Sequence, residues 1–218
     1  MIFPKLKDKT YGYVNLDLES IEWCKIKGAN LNDKNILLDT DVCQDFVDDL
    51  HKKYSLDFSY GGWMEERTNL LRGAYMDKQN KFIHLGVDIN VPTGTEIATD
   101  FKAEVVRVGD DFDSDGGWGP HVILKHLSIP VYIIYGHLDR DIKCKLGDVL
   151  EKDTIFATVG FPPENGNWFP HLHVQCISPE YYNAIEKEIE KLDGYGYKTE
   201  MQLNAKRHPD PMEYIFLK

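Results

Sequence analysis

The sequence predicts a mainly β (α+β) fold, an antiparallel β-sheet core with a few peripheral helices. Two observations carry this expectation. From Lys81 onward, short runs rich in β-branched residues alternate with turn residues: Ala103 to Val108, His121 to Lys125, Val131 to Tyr135, Thr154 to Val159 and His171 to Ile177. In addition, 218 residues of which 42% are hydrophobic can bury one sizeable core without a second domain.

Taken in order, residues 1–80 read as an N-terminal segment that packs on or caps the core. Its first sixty residues are polar and irregular except near 41–54. There Val42, Phe46 and Leu50 recur at i, i+4 and i+8, which predicts an amphipathic helix capped by Asp41, with Gln44 three residues later. Residues 81–218 read as the main domain. Near its end Ser178 offers an N-cap before Pro179. Ile185, Ile189 and Leu192 then share a face and Gly194 can terminate, so a second helix is expected there. The tail from Tyr195 to Lys218 reads as short connecting structure, because Pro209 and Pro211 break helices.

A formal net charge of -11 without any Lys/Arg cluster argues against nucleic acid and anionic membrane surfaces as partners. No stretch of about 18 apolar residues could span a membrane, and the N-terminus shows no apolar export signal. A cytoplasmic location is therefore expected. Cys24, Cys43, Cys144 and Cys176 are scattered without a CxxC pair and read as reduced thiols.

Chemistry concentrates in three short clusters: His84-Leu85-Gly86-Val87-Asp88, Tyr135-Gly136-His137-Leu138 and Pro170-His171-Leu172-His173. Gly86, Val87, Ile89 and the following Val91-Pro92 make a helix poor around the first. In a straight strand, however, His84 and Asp88 would lie about 13 Å apart, too far to share an ion. The backbone must bend between them, and Gly86 is the residue that tolerates such a bend. His171 and His173 alternate onto one strand face about 6.6 Å apart, so one can ligate while the other serves as its neighbour. The same parity sends Cys176 to the opposite face. His137 stands where an apolar run meets a turn, a usual place for site residues. Two neutral imidazoles and one carboxylate would leave Zn2+ with an open fourth position, which is catalytic rather than structural stoichiometry.

These clusters resemble, in order, the three motifs of the lysostaphin-type (LytM-like) zinc metallopeptidases: HxxxD, a GH before a turn, and HxH. The flanks agree, since His84 to Ala98 is similar to HxGxDxxxxxGTxIxA and Gly117 to His126 to the glycine-rich turn and strand that follow. Coverage runs from about Lys81 to Ile177. The resemblance implies an antiparallel β-sheet with a groove over one Zn2+ ion, held by His84, Asp88 and His173. It implies His137 and His171 as the catalytic pair, and makes residues 81–218 the peptidase domain. It implies a peptide or peptidoglycan-fragment substrate whose amide bond is hydrolysed. Before HLH the family carries a short Gly/Thr-rich turn, whereas Phe161 to Phe169 is longer and aromatic here, so a differently shaped groove is expected. Family members are typically exported; without an export signal, a small intracellular peptide is the competing substrate. The alternative expectation is a catalytically silent binding or regulatory module that retains the fold, against which the intact ligand set argues.

Other features read as surface. Asp111, Asp113, Asp115 and Gly116 imitate the start of a calcium loop, but Val122 stands where its bidentate Glu belongs, so a solvated turn is expected. Glu65, Glu66, Arg67 and Arg72 read as solvated charges. His121 and His126, five apart, cannot both face a groove from one regular strand, and His51 and His208 carry no motif.

Overall fold

In the computed structural model, which describes residues 1–29, 33–111 and 116–217, the β-branched runs become strands. In chain order the strands are β1 (Tyr11–Tyr13), β2 (Phe58–Gly61), β3 (Lys81–His84), β4 (Val87–Asn90), β5 (Glu96–Ala98), β6 (Ala103–Asp111), β7 (Gly119–His126), β8 (Tyr132–Gly136), β9 (Val149–Leu150), β10 (Ile155–Thr158), β11 (Leu172–Ile177) and β12 (Tyr195–Tyr197). The helices are α1 (Leu16–Ile26), α2 (Thr40–Tyr54), α3 (Tyr75–Lys78), α4 (Pro179–Glu186) and α5 (Met201–Arg207). None of the described helices is long and apolar enough to cross a membrane.

Eight strands form one sheet in the order β1-β2-β4-β11-β8-β7-β6-β9. Its pairs are antiparallel except β1 with β2, which run parallel. The period of two decides the rest. Val87, Ile89, Leu172, Val174, Ile133 and Tyr135 enter the main apolar cluster, so Asp88 and His173 must present their side chains on the other face. Register aligns them: Gly61 pairs with Asp88, Asp88 with His173, and His173 with Gly136, a single row across four strands.

The helices α1 and α2 build a second apolar cluster from Trp23, Phe46, Val47 and Leu50, with Trp23 and Phe46 rings 5.3 Å apart. Phe169, from the aromatic loop before β11, inserts into the same cluster. The N-terminal layer thus clamps the approach to the HLH motif.

Several local expectations are corrected. The cap of α2 is Asp39, whose carboxylate accepts from the amides of Asp41 and Val42 at 3.1 and 3.2 Å, while Gln44 bonds Asp48 instead. The first sixty residues are not irregular. They hold α1, capped by Asn15, whose apolar residues are spread around the helix with Leu18 and Ile26 left exposed, so no stripe announces it. They also hold β1 and β2, which extend the sheet. Helix α4 starts on Ser178 as expected but stops at Glu186, well before Gly194. Tyr181, Tyr182 and Ile185 already complete its packing face, Glu188 turns into the left-handed region with φ 58, and Ile189 is 72% exposed. The tail folds α5 before Pro209; the prolines bound that helix rather than prevent it. Asp113 and Asp115 lie outside the described residues.

Candidate metal centre

Strand β3 ends at His84 and β4 starts at Val87, so the chain does turn at Leu85-Gly86. The turn brings His84 Nε2 to 3.2 Å from Asp88 Oδ1. The reason for glycine is space, not a left-handed backbone. A Cβ at position 86 would stand 2.5 Å from the carbonyl oxygen of Val174 and 2.6 Å from His173 Nε2. Gly86→Ala is therefore expected to displace His173. Zinc content measured beside thermal unfolding should show metal affinity falling at least about tenfold, with roughly 1–3 kcal/mol of overpacking strain.

Three donor atoms converge: His84 Nε2, Asp88 Oδ1 and His173 Nδ1. His173 Nδ1 lies 2.8 Å from Asp88 Oδ1 and 3.1 Å from His84 Nε2, and all three residues are buried and grouped as a possible metal set. A tetrahedral zinc ion with bonds near 2.05 Å asks for donor separations of about 3.3 Å, so the triangle fits. The protons fit too. His84 Nδ1 lies 3.3 Å from the Gly62 carbonyl, and His173 Nε2 lies 3.1 Å from Gln175 Oε1, both acceptors. With a metal bound, each imidazole would carry its hydrogen on the outer nitrogen, where an acceptor waits, and the two inner nitrogens, 3.1 Å apart, would both face the cation. Gln175 is oriented in turn by donating from Nε2 to the Asp193 carbonyl at 3.0 Å, the outer support usual around metal-ligating histidines.

Burial pushes His84 down to about 3, helped by the Arg67 guanidinium, which keeps the imidazole neutral. Burial pulls the Asp88 carboxyl upward, but His84 and Arg67 outweigh it and hold the carboxyl well below the usual range. Since His84 is neutral at physiological pH, Arg67 is the charge responsible. Neutral imidazoles beside an ionised carboxylate are the ligand-competent state.

His137 follows β8 with a left-handed φ of 62, a conformation uncommon for residues other than glycine. Its Nδ1 donates to the Asn165 carbonyl at 2.8 Å, and His171 Nδ1 donates to the Phe169 carbonyl at 2.8 Å. The two rings are 4.5 Å apart, and His171 also stacks on Phe169 at 4.6 Å. With both Nδ1 positions fixed, each Nε2 keeps a free lone pair. Burial, with the neighbouring histidine charges adding to it at His137, lowers both pKa values, so both rings rest neutral. His171 Nε2 stands 3.5 Å from Asp88 Oδ1. All five residues singled out from the sequence are thus brought together. A groove of about 790 Å³ opens over Asp88, His137, His171 and His173, lined by Leu37, Leu38, Leu70 and Leu71 from the N-terminal segment and by Trp118 and Trp168.

His121 and His126 lie elsewhere: the first bonds the Gly119 carbonyl, and the second stacks on Phe101. Three participants were missed. Gln175 was legible, since the parity that pairs His171 with His173 extends to it. Trp118, whose ring meets His173 edge-on at 5.1 Å, had no local signal. Nor did Arg67, which is not a solvated charge: it is 1% exposed and donates from Nη1 to Asp88 Oδ2. Glu65 beside it is buried as well, while Arg72 bonds the Asp33 carbonyl at 2.6 Å.

A mainly β fold that gathers two imidazoles and one carboxylate able to hold a metal ion, with a second imidazole pair beside them, presents a candidate metal centre. Residues 82–184 match peptidase family M23. The catalytic domain of the prophage-encoded M23 protein EnpA from Enterococcus faecalis is 30% identical, covering 44% of this chain and 68% of that one, with a TM-score of 0.38. A zinc-containing peptidase from Vibrio cholerae is 24% identical over 45% of this chain, with a TM-score of 0.38, and the present chain spans only 28% of its length. The catalytic domain of lysostaphin from Staphylococcus simulans is 20% identical, covering 67% of this chain and 92% of that one, with a TM-score of 0.45. No curated protein matches. The chain belongs to peptidase family M23, the lysostaphin-type metallopeptidases. In this member, residues ahead of the matched stretch, Gly62 and Arg67, also touch the centre.

Proposed function

We propose that the protein is a zinc metallopeptidase that hydrolyses amide bonds in peptidoglycan-like or small intracellular peptides. His84, Asp88 and His173 hold one Zn2+, and His137 and His171 handle protons. The observation that carries this reading is the pairing of two inward-facing imidazole nitrogens and a carboxylate with two further imidazoles whose Nε2 atoms are free. Zinc, when bound, supplies Lewis acidity toward a carbonyl oxygen and makes water a nucleophile near neutral pH. The chain's own part is positional and protonic. The groove holds an extended peptide over the row of strands. Nε2 of His137 or His171 accepts a proton from the attacking water as the new C–O bond forms. It then returns that proton to the amide nitrogen as the C–N bond breaks. Residues 81–218 form the catalytic domain in this proposal and residues 1–80 its packed support. The free thiols of Cys24, Cys43, Cys144 and Cys176 suit a cytoplasmic setting.

Zinc-loaded protein incubated with muropeptides and with a peptide library, read by mass spectrometry, is expected to release products that a chelator suppresses. Absence of chelator-sensitive cleavage of any substrate, with zinc bound, would instead support a silent binding module.

A further inference from the structure

The two oxygens of Asp88 have different company. Oδ1 faces His84 Nε2 and His173 Nδ1, whereas Oδ2 accepts from Arg67 Nη1. The guanidinium is held from behind: Nε donates to Glu65 Oε1 at 3.3 Å, and Nη1 also lies 3.4 Å from the Tyr195 hydroxyl. Glu65 is itself fixed, its Oε2 accepting from the Tyr13 hydroxyl and the Gly62 amide, each at 2.9 Å. A continuous chain of hydrogen bonds therefore runs from Tyr13 through Glu65 and Arg67 to Asp88.

The remaining nitrogen, Arg67 Nη2, is buried without a hydrogen-bond partner. It lies against Gly61, the residue that pairs with Asp88 across β2 and β4, where a Cβ would come within 2.6 Å of it. An arginine packed across a strand at the one position without a side chain, with a donor left unsatisfied, is an arrangement that packing alone does not account for. A leucine or methionine would fill that volume without an orphaned donor. What the guanidinium does supply is a fixed fork aimed at one carboxylate oxygen.

We infer that Arg67 is a positioning residue of the metal centre, which occupies Asp88 Oδ2 so that the carboxylate meets the metal through Oδ1 alone. The inference rests on the metallopeptidase reading and extends it to a residue outside the matched stretch. Its physical consequence is twofold. A carboxylate limited to one oxygen leaves the coordination number low, and a guanidinium on the other oxygen draws charge from the donor. Both keep a bound divalent cation electrophilic and an additional position open.

The test measures metal, not turnover. Zinc affinity by chelator competition and the visible absorption of the Co2+-loaded protein are compared for the wild type, Arg67→Met, Arg67→Lys and Gly61→Ala. Four-coordinate Co2+ absorbs strongly, and higher coordination absorbs weakly. Arg67→Met is expected to give a weaker Co2+ spectrum, as Asp88 becomes free to use both oxygens, and to change zinc affinity by about tenfold or more as the outer partner of the carboxylate is lost. Arg67→Lys, which keeps the charge but not the fork, should recover part of both. Gly61→Ala, which displaces Nη2 without removing the arginine, should shift the spectrum in the same direction. It decides the matter if Arg67→Met fails to fold. Zinc affinity within twofold of wild type and an unchanged Co2+ spectrum in folded Arg67→Met, or in Gly61→Ala if only that variant folds, would overturn the inference. Intact metal binding without hydrolysis of any peptide would strike the peptidase reading and leave this one standing.

Discussion

Asp88→Ala is expected to abolish stoichiometric zinc binding and, with it, chelator-sensitive hydrolysis. Asp88 is the only anion of the donor triangle, and its Oδ1 is within 3.2 Å of both ligand nitrogens. Removing it leaves two neutral imidazoles to hold a dication. Loss of affinity should exceed the 10–100-fold cost typical of outer partners, which zinc content after dialysis reads directly. A second consequence separates this variant from His173→Ala, which also loses metal. Without Asp88, the fully buried Arg67 loses one of its two carboxylate partners and keeps Glu65 at 3.3 Å, and breaking a buried pair costs up to about 3–5 kcal/mol. For a chain of this size that lowers the unfolding temperature of metal-free protein by roughly 6–20 °C. Metal-free His173→Ala should unfold near the wild type's temperature or slightly below it. Retention of zinc by Asp88→Ala would remove the metal centre from consideration.

His137→Ala and His171→Ala should retain zinc and lose turnover. Each ring is held by a bond from Nδ1 to a carbonyl and offers Nε2 toward the groove, so each is built to exchange a proton rather than to close a ligand set. General acid–base contributions of this kind amount to about 10²–10⁴-fold in kcat, with KM little changed because neither ring is required to seat the peptide. The pair His171 and His173 carries the discrimination. His171 Nε2 is itself 3.5 Å from Asp88 Oδ1, so a two-residue slip along the strand would exchange their tasks. Zinc loss in His171→Ala with zinc kept in His173→Ala would reverse the assignment while leaving the family unchanged.

Strand β11 shows how far local pattern reaches. Alternation alone puts His171, His173 and Gln175 on one face and Leu172, Val174 and Cys176 on the other, and the fold keeps that parity, with Leu172, Val174 and Cys176 in the core. The bend at Gly86 was equally legible, because a straight strand cannot bring His84 to Asp88. Its cause was not: the glycine is demanded by a carbonyl and an imidazole from β11, which lies 85 residues and more further along the chain. Helix ends failed for a related reason. Ile189 and Leu192 continue the spacing of α4, yet the helix stops at Glu186, leaving Ile189 exposed while Leu192 reaches the same apolar cluster from non-helical chain, and periodicity carries no information about where a helix stops.

By itself, then, the sequence determined the β-rich class and the family motifs, and it singled out the five residues that the fold brings together, because strand parity and short spacings are properties of the local backbone. Only the tertiary structure decided that Asp88, His173 and Gly136 lie in one row, that the aromatic loop is anchored through Phe169 in the N-terminal helices, and that Arg67 stands behind Asp88. These depend on which strands become neighbours. An arginine 21 residues before its carboxylate looks like any solvated charge until β2 and β4 pair and exclude water from both.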